Sequence, residues 1–190
     1  MIPEPSFDKE RKHVVSFMSA KNLDSELLMK SVNPGNAIPL SVLTLNDLAI
    51  YPGIGLYFFY NMRNELQYVG KCTSRSFMER IPSHFDCRNH ARFATIARRR
   101  VDELSQSDDI SETVYQALTD LKLFLVNFMY DKIFWDNGSY SDINKKQETG
   151  REAEYIEKLE RDTIQKKEPH LNRMNKRKST HQNDDRRSEI

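Results

Sequence analysis

Two tyrosines occupy matched places on neighbouring apolar runs. Tyr57 closes Gly55-Leu56-Tyr57 and Tyr68 opens Tyr68-Val69-Gly70. A phenol has a pKa near ~10, so it serves as a base at neutral pH only where nearby cations favour its anion. Arg80 and His84 follow, four residues apart and so on one face of a helix. A guanidinium fork matches a phosphate bidentately, and an imidazole beside it can relay a proton near neutral pH. Far downstream, Glu160 lies four residues after Ile156 and four before Ile164, and shares their face. A carboxylate on the apolar stripe of a helix needs a cation, hydrogen-bond donors or a metal. Each feature alone has a plainer reading. The tyrosines are core aromatics, Arg80 and His84 are surface charge, and Glu160 pairs with a nearby arginine. Taken together, these residue types suit the handling of a phosphodiester.

The elements that must position them follow from periodicity. Leu56 to Tyr60 reads as a strand, Asn61 to Glu65 as a turn and Leu66 to Val69 as the returning strand of a hairpin, with Gly70 ending it. Ser76 and Glu79 form a capping-box signature for a helix start. Pro82 falls inside that helix, which points to a start nearer Arg80 or a kink. Residues 90–104 predict an amphipathic helix with Phe93, Ile96, Ala97, Val101 and Leu104 on one face and Arg92, Arg98 and Arg99 largely off it. Residues 111–120 predict another helix. Phe124 to Tyr130 predicts a third, central strand, 136–150 a polar loop, and 151–167 a helix that stops before Pro169. Upstream, 7–19 reads as a helix capped by Ser6, with Val14, Val15, Phe17 and Met18 on one side; 23–32 reads as a second helix and 33–39 as a turn. The organisation expected is an N-terminal helical extension over 1–45, a core domain over 46–174 with a helical insertion at about 88–120, and a charged, disordered tail over 175–190.

The chain has 190 residues, enough for one well-buried domain with extensions. Charged residues make up 30%, yet the net charge is +1, so global charge announces no polyanion partner. Charge is uneven, however. Arg88, Arg92, Arg98, Arg99 and Arg100 crowd one stretch, and residues 173–178 read R-M-N-K-R-K. Such patches suit a polyanion, or are solvated faces. Cys72 and Cys87 form no disulfide framework, and with His84 and His90 they match no structural zinc spacing. Free thiols fit a reducing compartment such as the cytoplasm. The N-terminus has no signal-peptide pattern and no apolar run is long enough for a membrane span, so no membrane partner is expected.

Gly55-Leu56-Tyr57, the eleven-residue step from Tyr57 to Tyr68, the Arg80–His84 pair and the late Glu160 together resemble the GIY-YIG nuclease family. The stretch from Leu159 to Asn172 is similar to the family's closing pattern of Glu, Ile, Pro and Asn, here Glu160, Ile164, Pro169 and Asn172. The resemblance spans roughly residues 50 to 174. It implies an α+β fold with a small three-stranded antiparallel sheet flanked by helices, and metal-dependent cleavage of DNA. It implies that Tyr57 acts at the nucleophilic water, as general base or in its relay, and that His84 assists it. Tyr68 and Arg80 would contact or position the scissile phosphate. Glu160 would hold one Mg²⁺ per site, with Mn²⁺ able to substitute, and Asn172 would support the site at the substrate side. Lys71, directly after Tyr68-Val69-Gly70, is a further phosphate contact. Arg92, Arg98 and Arg99 would meet the DNA backbone.

The chain departs from the family pattern in three ways. Arg80 lies twelve residues after Tyr68, slightly farther than is usual, and Arg75 competes for its role without a histidine four residues on. Pro82 is unexpected in that helix. The interval from Arg80 to Glu160 is longer than in compact members, which is why 88–120 reads as an insertion. With no partner domain after the core, the chain looks most like the stand-alone type II restriction branch, acting on double-stranded DNA as a homodimer. A structure-specific, repair or mobile-element nuclease, or a weakly cutting DNA-binding module, is the alternative.

Overall fold

The computed structural model describes residues 5–7, 9–50, 53–86, 96, 99, 110–129 and 143–172. In chain order the elements are strands β1 (Ser6–Phe7) and β2 (Val14–Phe17), helix α1 (Ser25–Ser31), the short strand β3 (Ile38–Pro39) and helix α2 (Leu45–Leu48). Strands β4 (Gly55–Asn61) and β5 (Leu66–Cys72) then form a hairpin, followed by helix α3 (Phe77–Ser83). Helix α4 (Ile110–Asp120) runs straight into strand β6 (Leu121–Phe128), and helix α5 (Ile143–Lys167) completes the set.

Strands β4 and β6 are almost continuously apolar, the pattern of strands covered on both faces. They pair antiparallel at the centre of a six-stranded mixed sheet ordered β1-β2-β6-β4-β5, with β3 also paired to β6. Side-chain alternation divides the core in two. Leu56, Phe58, Tyr60, Phe124, Val126 and Phe128 face one side, where Ile156 and Leu159 of α5 cover them. Tyr57, Phe59, Leu121, Leu123 and Leu125 face the other, against Phe77 and Ile81 of α3, Ile96 and Leu171. Strand β5 is the outer edge on the hairpin side.

The fold is α+β with helices flanking the sheet, but the sheet exceeds three antiparallel strands. Residues 7–19 supply β1 and β2, not a helix, and β2 lies parallel to β6 from Val14↔Leu125 to Phe17↔Phe128. Val14 and Val15 are buried in opposite faces of the sheet while Met18 is 62% exposed, so the apolar cluster fits a pleat rather than a helical stripe. The N-terminal segment is therefore part of the sheet. The third hairpin-facing strand begins at Leu121, three residues earlier than expected, because no loop separates it from α4. Residues 143–150, expected in a polar loop, are helical. Helix α3 starts at Phe77, just after the Ser76/Glu79 capping box, and accommodates Pro82 in its final turn. Most of 88–120 and the whole expected tail lie outside the described residues, as do Arg92 and Arg98. No helix among the described residues is long and apolar enough to cross a membrane.

Candidate active site

Hairpin register places Tyr57 directly opposite Gly70, and Phe59 opposite Tyr68. The glycine is a steric requirement. A Cβ at position 70 would sit 2.3 Å from both the Cζ and the Oη of Tyr57. The phenol thus lies flat over bare backbone, with its ring centroid 6.0 Å from that of Tyr68. Its hydroxyl reaches Nε2 of His84 at 2.5 Å. His84 caps the C-terminus of α3 and is fully buried, and its ring centroid lies 5.3 Å from Tyr57 and 5.4 Å from Tyr68. Two strands and one helix end therefore converge on a Tyr57–Tyr68–His84 cluster.

A pocket of about 270 Å³ adjoins this cluster, lined by Lys71, Cys72, Thr73, Ser74, Arg75, Arg80 and Glu160. Glu160 projects from α5 with 17% of its side chain exposed. It forms an ion pair with Lys71, whose Nζ lies 3.4 Å from Glu160 and 3.0 Å from Glu157. Arg80 and Arg75 both line the pocket, but Arg80's charge reaches Tyr57, Tyr68, His84 and Glu160.

Burial sets the protonation states. It lifts the Tyr57 phenol well above its usual value; the Tyr68 phenol pushes the same way and Arg80 opposes. Burial also raises Tyr68, against the pull of Arg99 and Arg80, while Glu160 adds to the rise. His84 is pushed down to about 3, first by burial and then by the charges of Arg80 and Arg99. It is therefore a neutral imidazole at neutral pH, able to accept a hydrogen bond from the Tyr57 hydroxyl through Nε2. Its Nδ1 has no hydrogen-bond partner among the described residues. Glu160 is raised by burial, with Lys71 the main opposing influence.

The remaining expected site residues divide. The Asn172 side chain is spent on the main chain of Val69: Oδ1 accepts from its N–H at 2.9 Å and Nδ2 donates to its carbonyl at 3.0 Å. It thus closes the open edge of β5 beside Tyr68 rather than meeting a substrate. Arg99, expected on a phosphate-facing surface, is 7% exposed. Its guanidinium carbon lies 5.4 Å from the Tyr68 ring centroid, and Nη1 donates to the carbonyl of Leu171. Arg99 follows the buried Ile96 by three residues and is buried with it, although the sequence reading set it largely off the apolar face. The fit between Tyr57 and Gly70 was readable from hairpin register. The Glu157–Lys71 contact carried no local signal.

Glu160 suits a hard divalent cation. Mg²⁺ takes few protein ligands and keeps several waters, and the pocket offers one carboxylate, the Thr73 and Ser74 hydroxyls and room beside them. No cluster of three or more His, Cys, Asp or Glu able to hold a metal occurs among the described residues. No protein-family model, curated protein or solved structure matched the chain.

Proposed function

We propose that the chain is a Mg²⁺-dependent DNA endonuclease of the GIY-YIG kind, with β5-β4-β6 as its catalytic sheet. The observation that carries this reading is the 2.5 Å contact between Tyr57 Oη and His84 Nε2 beside a pocket holding Arg80, Lys71 and Glu160. Arg80, Lys71 and Glu160 line a recess large enough for a phosphate, and the Tyr57–His84 pair is buried behind it. Structural aromatics alone need neither the arginine nor the carboxylate there.

In this reading Arg80 and Lys71 bind the scissile phosphate, the arginine by its bidentate fork. Neutral His84 accepts a hydrogen bond from the Tyr57 hydroxyl and holds the phenol in place at the attacking water. Glu160 would hold the metal, which supplies charge stabilisation at the leaving oxygen when bound. A type II restriction enzyme acting as a homodimer on duplex DNA is the narrower form of the proposal.

A DNA-binding module that does not cut is the second reading, and the complete enclosure of Tyr57 favours it: its side chain has no exposed surface. Plasmid nicking with Mg²⁺ against EDTA separates the two. Cleavage that requires Mg²⁺ and disappears in Tyr57→Phe supports the nuclease. Binding without cleavage, unchanged in that variant, supports the module.

A further inference from the structure

Arg99 is a buried cation in an unusual setting. Among the described residues it pairs with no carboxylate. It lies instead against the Tyr68 ring and on the Leu171 carbonyl. A guanidinium over an aromatic face is held by the ring's quadrupole, and more strongly when both are desolvated. Leu171 precedes Asn172, whose amide grips Val69, and Val69 follows Tyr68. Arg99, the turn at 170–172 and the edge of β5 thus form a closed circuit of contacts around Tyr68.

We propose that Arg99 is a positioning residue of the active site, one that fixes Tyr68 beside Tyr57 and His84 and adds a second guanidinium to Arg80 where negative charge develops. The inference rests on the nuclease reading above and assigns the inserted segment a part in the chemistry rather than in backbone contacts alone. The groups facing Tyr68 are Arg99, Arg80, Glu160, Tyr57 and His84. Arg99 and Arg80 favour loss of a phenol proton from this cluster and Glu160 opposes it. Arg99 also acts to keep His84 neutral. Removing Arg99 therefore makes the cluster hold its protons to higher pH.

The test is single-turnover cleavage of duplex DNA with Mg²⁺ as a function of pH, for wild type, Arg99→Gln, Arg99→Lys, Tyr68→Phe and Tyr68→Phe/Arg99→Gln. Arg99→Gln should shift the rise of rate with pH upward, and a one-unit shift slows the step about tenfold on the rising limb. DNA affinity should stay within about twofold, since the residue is not a backbone contact. Arg99→Lys keeps the charge beside Tyr68 and should retain the wild-type profile; it also guards against a folding defect in the Gln variant. In the Tyr68→Phe background, Arg99→Gln should add little. An unmoved profile in folded Arg99→Gln, a displaced one in folded Arg99→Lys, or multiplicative losses in the double variant overturns the inference while the nuclease reading stands. A wild-type protein that cuts no DNA overturns both.

Discussion

Gly70→Ala tests the geometry of the candidate site without assuming any activity. The new Cβ would lie 2.3 Å from two atoms of Tyr57, well inside contact distance. Neither partner can yield easily. The Tyr57–Gly70 pairing fixes the two backbones, and the Tyr57 ring is enclosed by Phe59, Tyr68 and His84 at centroid distances of 5.8, 6.0 and 5.3 Å. The ring must swing and break its bond to His84. Overpacking a core costs about 1–3 kcal/mol and losing a buried hydrogen bond about 1–3 more, so the variant should be destabilised by roughly 2–6 kcal/mol. For a chain of this size that is a fall in Tm of roughly 5–20 °C. Urea unfolding of Gly70→Ala, Tyr57→Leu and the double variant reads the origin of the loss. Leucine lacks Cζ and Oη, so in its background the alanine should cost under about 1 kcal/mol. Additive losses, or a Gly70→Ala protein as stable as wild type, would refute the placement of Tyr57 over Gly70.

Acid should destabilise the fold through His84. Its folded-state value, about 3, lies below the ordinary 6.5, so between those values the unfolded chain binds a proton that the folded chain refuses. Stability is then complete above pH 6.5 and falls as pH drops, by roughly 2.7 kcal/mol at pH 4.5. His84→Gln should remove that slope from urea midpoints measured between pH 7 and 4.5; an unaltered slope would place the titration elsewhere. Asn172→Ala should expose the Val69 amide and destabilise by about 1–3 kcal/mol. Hydrogen exchange at Val69 is the direct readout, and unchanged protection there would contradict the edge-closing role. Glu160→Gln should reduce Mg²⁺-dependent cleavage by about 100-fold or more, against only a few-fold for Glu157→Ala. The Glu157 change is small because Lys71 keeps its second carboxylate, and the reverse ranking would misplace the metal-holding residue.

The hairpin and the helices flanking it were legible because their signals are local. Aromatic runs on either side of a polar turn make β4 and β5, and the Ser76–Glu79 capping box marks the start of α3, against the later start near Arg80 that Pro82 had suggested. Asn64 takes a left-handed conformation in the turn (φ 66°), as a polar turn residue readily does. The N-terminal strands were not legible, because their structure comes from a distant partner. Val14 to Phe17 becomes a strand by pairing with β6 more than a hundred positions later, whereas Val14, Val15, Phe17 and Met18 had read as one side of a helix. Likewise Leu121 continues the helical periodicity of α4, and only its pairing with Asn61 makes it a strand residue.

Site residues divide by the same logic, which bears on how the chemistry is built. Tyr57, Tyr68, Arg80 and His84 lie on contiguous elements, so spacing alone brought them near one another. Glu160 reached the same pocket through an apolar stripe, Ile156 and Leu159 being buried on its helix. Arg99 and Asn172 were legible as polar residues but not in their tasks. Their partners are a tyrosine face, the Leu171 carbonyl and the main chain of Val69, which no pattern of charges describes. Both act on β5 from outside the hairpin, one through Tyr68 and the other through Val69. An edge strand held only by β4 would leave Tyr68 free to shift relative to Tyr57. The clamp from 99 and 172 removes that freedom, and it does so with the two segments that the hairpin itself cannot specify.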